Sequence, residues 1–219
     1  SVNPIEYSLD NYTWQTLPVG ASTPTIGAGK KVYFRASNLT ATSAAGIGTF
    51  SATGRHNIGG NIMSMLYGAD YKEQTIISKD YAFRSLFMND SNLISAKRLQ
   101  LPAMKLSANC YRATLNTCVN LVDSPELPAT ELASNCYAFL FKGDTSLAQA
   151  PELPATKMEF QCYSSMFEET GIVAAPKLPS TNLAQECYNG MFRNCTNLIS
   201  ASELPATKLE QQCYGIMYL

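Results

Sequence analysis

The sequence predicts an α/β solenoid, a right-handed stack of short coils behind a β-rich N-terminal cap. Three observations support this fold class. A unit of about 26 residues recurs through the second part of the chain. Each unit carries apolar residues at helical spacing, followed by a short extended leg. The leading residues do not repeat, so we divide the chain into a cap segment, 1–80, and a repeat region, 81–219.

The repeats are marked by a recurring Leu-Pro pair and a recurring Cys-Tyr pair. Four complete units have lengths of 26, 26, 25 and 26 residues, and a partial fifth follows them. The five units begin at Leu101, Leu127, Leu153, Leu178 and Leu204. A degenerate earlier coil is readable at 83–99. These lengths fall in the window of roughly 20–29 residues that is typical of leucine-rich repeats, which suggests that the coils stack on one another.

Each coil is predicted to contain a short α-helix. In the second coil, offsets of 4, 5, 8 and 9 residues place one apolar set on a single helical face. The set consists of Leu132, Cys136, Tyr137, Leu140 and Phe141. Thr130 precedes it and suits an N-cap. Gly143 follows it, at a position that suits the left-handed residue ending a helix.

After the helix, each coil is expected to return in an extended leg. Prolines such as Pro125 and Pro128 remove backbone donors, so at most two or three residues per leg should pair with a neighbouring leg. In the cap segment, 30–37 alternates apolar and polar residues and predicts a half-buried strand. The ranges 48–54 and 61–68 are further strand candidates. A separate small domain is the alternative interpretation of this segment.

The composition and the candidate reactive residues do not favour catalysis. The seven cysteines lack the close spacing of zinc ligands, and an odd number cannot all pair within the chain. We expect them to fill small buried slots as free thiols. The one histidine, His56, lies far from every cysteine in the sequence. We therefore expect no enzyme, no cofactor and no metal site.

The charged residues near the extended legs form the candidate binding face. Stacked carboxylates in this column could bind calcium, but Lys177 interrupts them, and a solvated charged edge is the favoured interpretation. The leg residues themselves are small and identify no ligand. The predicted face consists of Asp123, Glu126, Gln149, Glu152, Lys177, Ser200 and Glu203.

The repeat pattern L-P-A-T-x-L-x-x-x-C-Y-x-x-M-F-x-x-C-T-x-L-x-x-A-P-E resembles the BspA-like leucine-rich-repeat surface proteins of Bacteroides-type bacteria. The resemblance extends over 83–219, and the GNIMSMLYG stretch at 60–68 is similar to segments that precede these repeats. It implies a secreted or cell-surface bacterial protein that takes part in adhesion. The chain departs from the family in having no lipobox cysteine near its start and in an apolar final stretch that falls in mid-coil, which suggests a truncated chain or an end covered by a second copy.

The predicted function is therefore a non-catalytic cell-surface binding or adhesion module that contacts a host or matrix protein or a glycan. A structural spacer that presents another domain is the first alternative, and an enzyme is the second. A net charge near −1 gives no basic excess for nucleic acid, and no run of apolar residues is long enough for a transmembrane helix. The apolar C-terminal end predicts a homodimer formed through that end.

Overall fold

The structure, a computed structural model, describes residues 5–37 and 49–218. Three short strands, β1 (Ile5–Ser8), β2 (Gln15–Leu17) and β3 (Tyr33–Arg35), form an antiparallel sheet in the order β2-β1-β3. Strand β3 confirms the centre of the strand predicted at 30–37. Within 48–54, the described residues, 49–54, contain no strand, so the strand expected there is not found in that part.

The next elements join this leading region to the repeats. Strand β4 (His56–Asn61) pairs in parallel with β5 (Leu93–Gln100), which belongs to the degenerate first coil. Helix α1 (Ser64–Tyr67) and a 3-10 turn (Gly68–Tyr71) follow β4. The strand predicted at 61–68 is therefore wrong beyond Asn61, because these residues turn helically and bury Met65 and Leu66.

The predicted α/β solenoid is also wrong. Among the described residues, the one α-helix, α1, precedes the repeats, and the strands form only two small sheets. No sheet runs along the described repeats, which pair with one another through isolated bridges such as Lys105 with Glu131 and Asn182 with Lys208. Where helices were expected, each coil forms a run of tight turns, which we call the turn segment; in the second coil it covers 134–143.

The turn segments repeat every four residues, and this explains the error. Asn135, Phe139 and Gly143 all have positive φ angles, of 56°, 59° and 80°. A left-handed residue at every fourth position prevents an α-helix, which needs right-handed dihedrals throughout. Yet apolar offsets of 4, 5, 8 and 9 fit a turn period of 4.0 as well as a helical period of 3.6, since the two periods differ little over nine residues. The left-handed backbone predicted for Gly143 is confirmed, but the residue ends a turn segment and not a helix.

Backbone amides of the turn segment alternate between two kinds of acceptor. Tyr137 N–H donates to the Cys162 carbonyl of the next coil at 3.0 Å, whereas Ala138 N–H donates to Asn135 in its own coil at 3.2 Å. Phe139 and Leu140 repeat this alternation at 2.9 and 3.2 Å. Every second amide thus holds neighbouring coils together, and the amides between them close the local turns.

The core consists of side-chain columns that run from coil to coil. Aromatic rings stack with centroid distances between 5.4 and 5.9 Å. One column contains Phe83, Tyr111, Tyr137, Tyr163, Tyr188 and Tyr214, and a second contains Phe141, Phe167, Phe192 and Tyr218. All seven cysteines are buried free thiols, which confirms the slot interpretation. Ile62, Met63 and Ile77, from before residue 80, join the same core; the domain division at that residue stays a prediction.

Ala113 provides a direct test of the turn geometry, because its φ is 54°. A left-handed backbone costs an L-residue about 1–2 kcal/mol, and glycine avoids that cost. We expect Ala113→Gly to leave the free energy of unfolding unchanged or to raise it by up to about 1 kcal/mol. The matched control, Ala138→Gly, replaces a buried alanine outside the left-handed positions and should lower that free energy by about 1 kcal/mol. Urea denaturation measures both, and an equal loss in the two variants would contradict the four-residue turn.

Candidate functional site

The extended legs carry the predicted binding face. Leu121 and Leu147 begin their legs with side chains that enter the core, and the three residues that follow each of them are exposed or half-buried. Parallel bridges join Ser95 to Asp123 and Ala174 to Ser200. This sparse pairing confirms that only a few residues form bridges in the legs that follow Leu121, whereas the leg of the degenerate first coil is strand β5 and pairs with β4 over several residues.

One pair of neighbouring legs is not joined in this way. Among the described residues, no backbone hydrogen bond links the leg at 121–124 to the leg at 147–150, although each bonds to the leg on its other side: Val122 N–H donates to Ile94, and Val173 N–H donates to Ala148. A shallow hollow of about 150 Å³ lies at this break. Its lining, which defines the leg hollow, consists of Lys97, Val122, Asp123, Ser124, Gln149 and Ala150.

The leg hollow combines one apolar surface with several kinds of polar group. Val122 is 47% exposed and gives an apolar wall. Asp123 accepts a hydrogen bond from Ser95 Oγ at 2.9 Å, which fixes the orientation of its carboxylate. Lys97 supplies an ammonium donor and Gln149 an amide that both donates and accepts. Neither of these two side chains has a hydrogen-bond or ion-pair partner among the described residues. This set can contact a ligand that carries hydroxyl or amide groups.

The structure brings only two of the predicted site residues, Asp123 and Gln149, into the leg hollow. Ser200 is exposed and lies two legs beyond the leg that contains Gln149. The predicted charged column lies outside the hollow, is exposed, and makes no ion pair among the described residues. This column comprises Glu126, Glu152, Lys177 and Glu203.

Sequence reasoning missed Lys97. It lies on β5, in the column that Pro125 and Pro151 occupy in the next two coils. Replacement of proline by a cation in one column was a visible signal. This alignment was hidden because two residues before Leu101 have no counterpart in the later coils and shift the numbering of the first coil.

The cysteines and the histidine do not form a nucleophilic pair. Burial raises the pKa of Cys110 to about 12, and it raises the pKa of Cys187 to about 12 as well. Thiols with such pKa values remain protonated and unreactive near neutral pH. His56 Nε2 instead lies 3.3 Å from Oδ2 of the buried Asp90. The described residues contain no group of histidine, cysteine or acidic side chains that could hold a metal ion.

Two buried carboxyl groups in the repeats have pKa values that are shifted in opposite directions. Asp144 Oδ1 accepts the Cys118 N–H at 2.7 Å, and burial raises the Asp144 pKa well above its ordinary value. Burial also acts to raise the pKa of Glu168, but hydrogen bonds from Lys142, Ser165 and Arg193 outweigh it and leave that pKa below its ordinary value. Glu168 Oε1 lies 3.0 Å from Lys142 Nζ and 2.7 Å from Arg193 Nε.

Comparisons with models of protein families, with curated proteins and with solved structures found no match to this chain. Within the part of the chain that the structure describes, no helix is both long and apolar enough to span a membrane. The fold and the geometry of the leg hollow are therefore the basis for the functional proposal.

The two carboxyl groups predict opposite dependences of stability on pH. A raised pKa means that folded Asp144 binds its proton more tightly than the unfolded chain does, so its contribution to stability falls as pH rises through the unfolded value of about 4. Asp144→Asn retains the acceptor oxygen, so we expect a higher free energy of unfolding than wild type at pH 7 and a difference that shrinks towards pH 4.

Glu168→Gln is the matched variant. A lowered pKa gives stability that is present above the unfolded value and lost as pH falls through the folded one. We therefore expect Glu168→Gln to be destabilising at pH 7, with the deficit shrinking as the solution is acidified. Denaturant titrations at several pH values measure both effects. A stabilising Glu168→Gln or a destabilising Asp144→Asn at pH 7 would contradict this assignment.

Proposed function

We propose that this chain is a non-catalytic binding module in which the leg hollow and the charged column beside it contact a protein or a glycan. The leg hollow is the observation that carries the proposal. Among the described residues no backbone hydrogen bond crosses this break, next to Lys97, Asp123 and Gln149. Backbone groups there are open to a ligand that completes their hydrogen bonds.

The resemblance of the repeats to BspA-like surface proteins supports a bacterial cell-surface or secreted location and a role in adhesion. A host or matrix component is then the expected partner. The alternative is a structural spacer. It is favoured by the small side chains of the legs, such as Ala148, Ala174 and Ala201, which offer few anchors of the kind that dominate binding energy.

The proposal is tested by probing a glycan and protein array with the folded chain and with two variants, Lys97→Gln and Gln149→Ala. Hydrogen bonds to charged groups contribute about 1.5–3 kcal/mol, so a ligand of the leg hollow should bind Lys97→Gln at least about tenfold more weakly. The control, Lys72→Gln, removes an exposed lysine of the leading region and should bind as wild type does. A folded chain that binds nothing, or whose ligands ignore both variants, would favour the spacer.

We also propose that the chain forms a homodimer through its C-terminal repeat, 204–218. Leu209, Ile216 and Tyr218 are 62%, 46% and 41% exposed there. The direction of the backbone hydrogen bonds constrains this contact. In each earlier turn segment, every second backbone amide donates to a carbonyl of the following coil. Two C-terminal repeats related by a two-fold axis would present donors to donors, so the dimer has to rest on side-chain packing.

Light scattering over a concentration series tests the dimer. We expect a reversible increase towards twice the monomer mass, and we expect Leu209→Glu to abolish it by placing a charge in the apolar contact. Val19→Glu is the control, because Val19 is 95% exposed in the leading region. A wild-type chain that stays monomeric at high concentration, or a dimer that persists in Leu209→Glu, would contradict the C-terminal contact.

A further inference from the structure

Two arginines stand in the same column of neighbouring coils. Arg84 and Arg112 each follow a ring of the aromatic column, and those rings, of Phe83 and Tyr111, stack at 5.6 Å. Ser85 N–H donates to the Arg112 carbonyl at 3.0 Å, which fixes the register between the two coils. The two arginine side chains therefore leave the backbone on the same side, one coil apart.

Each guanidinium group is held against an aromatic ring. Arg84 lies over Tyr81, with its guanidinium carbon 5.8 Å from the ring centroid, and Arg112 lies over Phe139 at 4.6 Å. Arg112 Nη1 also donates to Asn135 Oδ1 at 2.8 Å. These contacts restrict the arginine rotamers and leave further N–H donors of both groups unused.

The two positive charges are not compensated by a carboxylate within the described part of the chain. Among the described residues neither arginine makes an ion pair. Asp80, close in sequence to Arg84, accepts the Ala108 N–H at 3.0 Å instead. Burial and the neighbouring charge of Arg84 lower the pKa of Arg112, as expected for two like charges in a partly desolvated place. Two adjacent, partly buried cations without an anion incur an electrostatic cost that a bound anion would remove.

The groups around the pair narrow the class of anion. Arginine matches carboxylate and sulfate groups because its planar fork donates two parallel hydrogen bonds. The later positions of this column, Ala138, Ser164 and Asn189, are neutral, so the positive charge is confined to two coils and does not suit a polyanion. Two neutral amides lie nearby: Asn116 in the turn segment of Arg112, where Nδ2 donates to the Phe139 carbonyl, and Asn135 in the next coil, where Oδ1 accepts from Arg112. Their remaining N–H donors pair well with hydroxyl groups. This combination fits a sugar that carries a single acidic group.

We propose that Arg84 and Arg112 form a binding site for the carboxylate or sulfate group of an acidic sugar. The site lies in the turn segments, apart from the leg hollow, and it adds an anion requirement that the leg hollow does not have. The two arginines bind the acidic group between them, and the neighbouring amides contact the sugar hydroxyls.

Isothermal titration calorimetry of the full chain at fixed ionic strength tests this site. The probes are a uronate-containing disaccharide, a sulfated disaccharide, a neutral disaccharide of the same size and a tetraglutamate peptide. We expect binding of at least one acidic disaccharide and none of the neutral one, and the two acidic probes distinguish carboxylate from sulfate. Arg84→Gln and Arg112→Gln should each weaken binding about tenfold, the loss of one charge-assisted hydrogen bond.

Three further variants separate binding from a structural role. Arg112→Lys keeps the charge but loses the fork, so it should bind more weakly than wild type. Arg55→Gln removes an exposed arginine elsewhere and should change nothing. The double variant Arg84→Gln/Arg112→Gln relieves the repulsion, so its melting temperature without ligand should be no lower than that of wild type. If the double variant does not fold, the same measurement is made on Arg84→Gln alone, which loses only a ring contact.

Several results would overturn the proposal. Two of them concern the probes: the neutral disaccharide binds as well as the acidic ones, or only the peptide binds. The other two concern the folded Arg84→Gln variant: it binds with wild-type affinity, or its melting temperature without ligand is clearly below that of wild type. Loss of sugar binding in Lys97→Gln but not in the arginine variants would place the ligand in the leg hollow instead, so the two sites fail independently.

Discussion

The backbone hydrogen bond from one coil to the next is the interaction on which the rest of this structure depends. Every second amide of a turn segment donates across to the following coil, as Tyr137 does to Cys162, and this fixes a spacing that aromatic rings can fill by stacking. The amides between them can be satisfied locally only if the chain turns back at every fourth residue. The left-handed residues, such as Asn135 and Phe139, follow from that requirement.

Because these hydrogen bonds keep successive coils in register, side chains that recur at the repeat length lie above one another in a column. Apolar columns become the core, and polar columns become continuous surface strips. Departures from the repeat then become local features: Lys97 replaces a proline and lines the leg hollow, and Arg84 with Arg112 places two cations in a column that is otherwise neutral. The functional candidates of this chain therefore lie where the repeat is broken.

Part of the candidate site could be predicted from the sequence. Asp123 and Gln149 were recognised because the leg positions align from coil to coil, and alignment is sufficient to place residues on one face. The leg hollow itself was not predictable. It arises because no backbone hydrogen bond joins the described legs at 121–124 and 147–150. Pairing between legs is a contact between coils, which the residue pattern within one coil does not encode. The ring contact of Arg112 was equally hidden, because it joins that residue to Phe139 of another coil.

The sequence by itself determined the repeat length, the buried free cysteines, the aromatic columns and the left-handed position of Gly143. These follow from residue identity at a fixed spacing, which is local information. The tertiary structure alone decided that the coils contain turns and not helices. Over one coil, periods of 3.6 and 4.0 residues bury nearly the same side chains, so the apolar pattern does not separate them. The choice was made by hydrogen bonds between coils, which exist only once neighbouring coils are stacked.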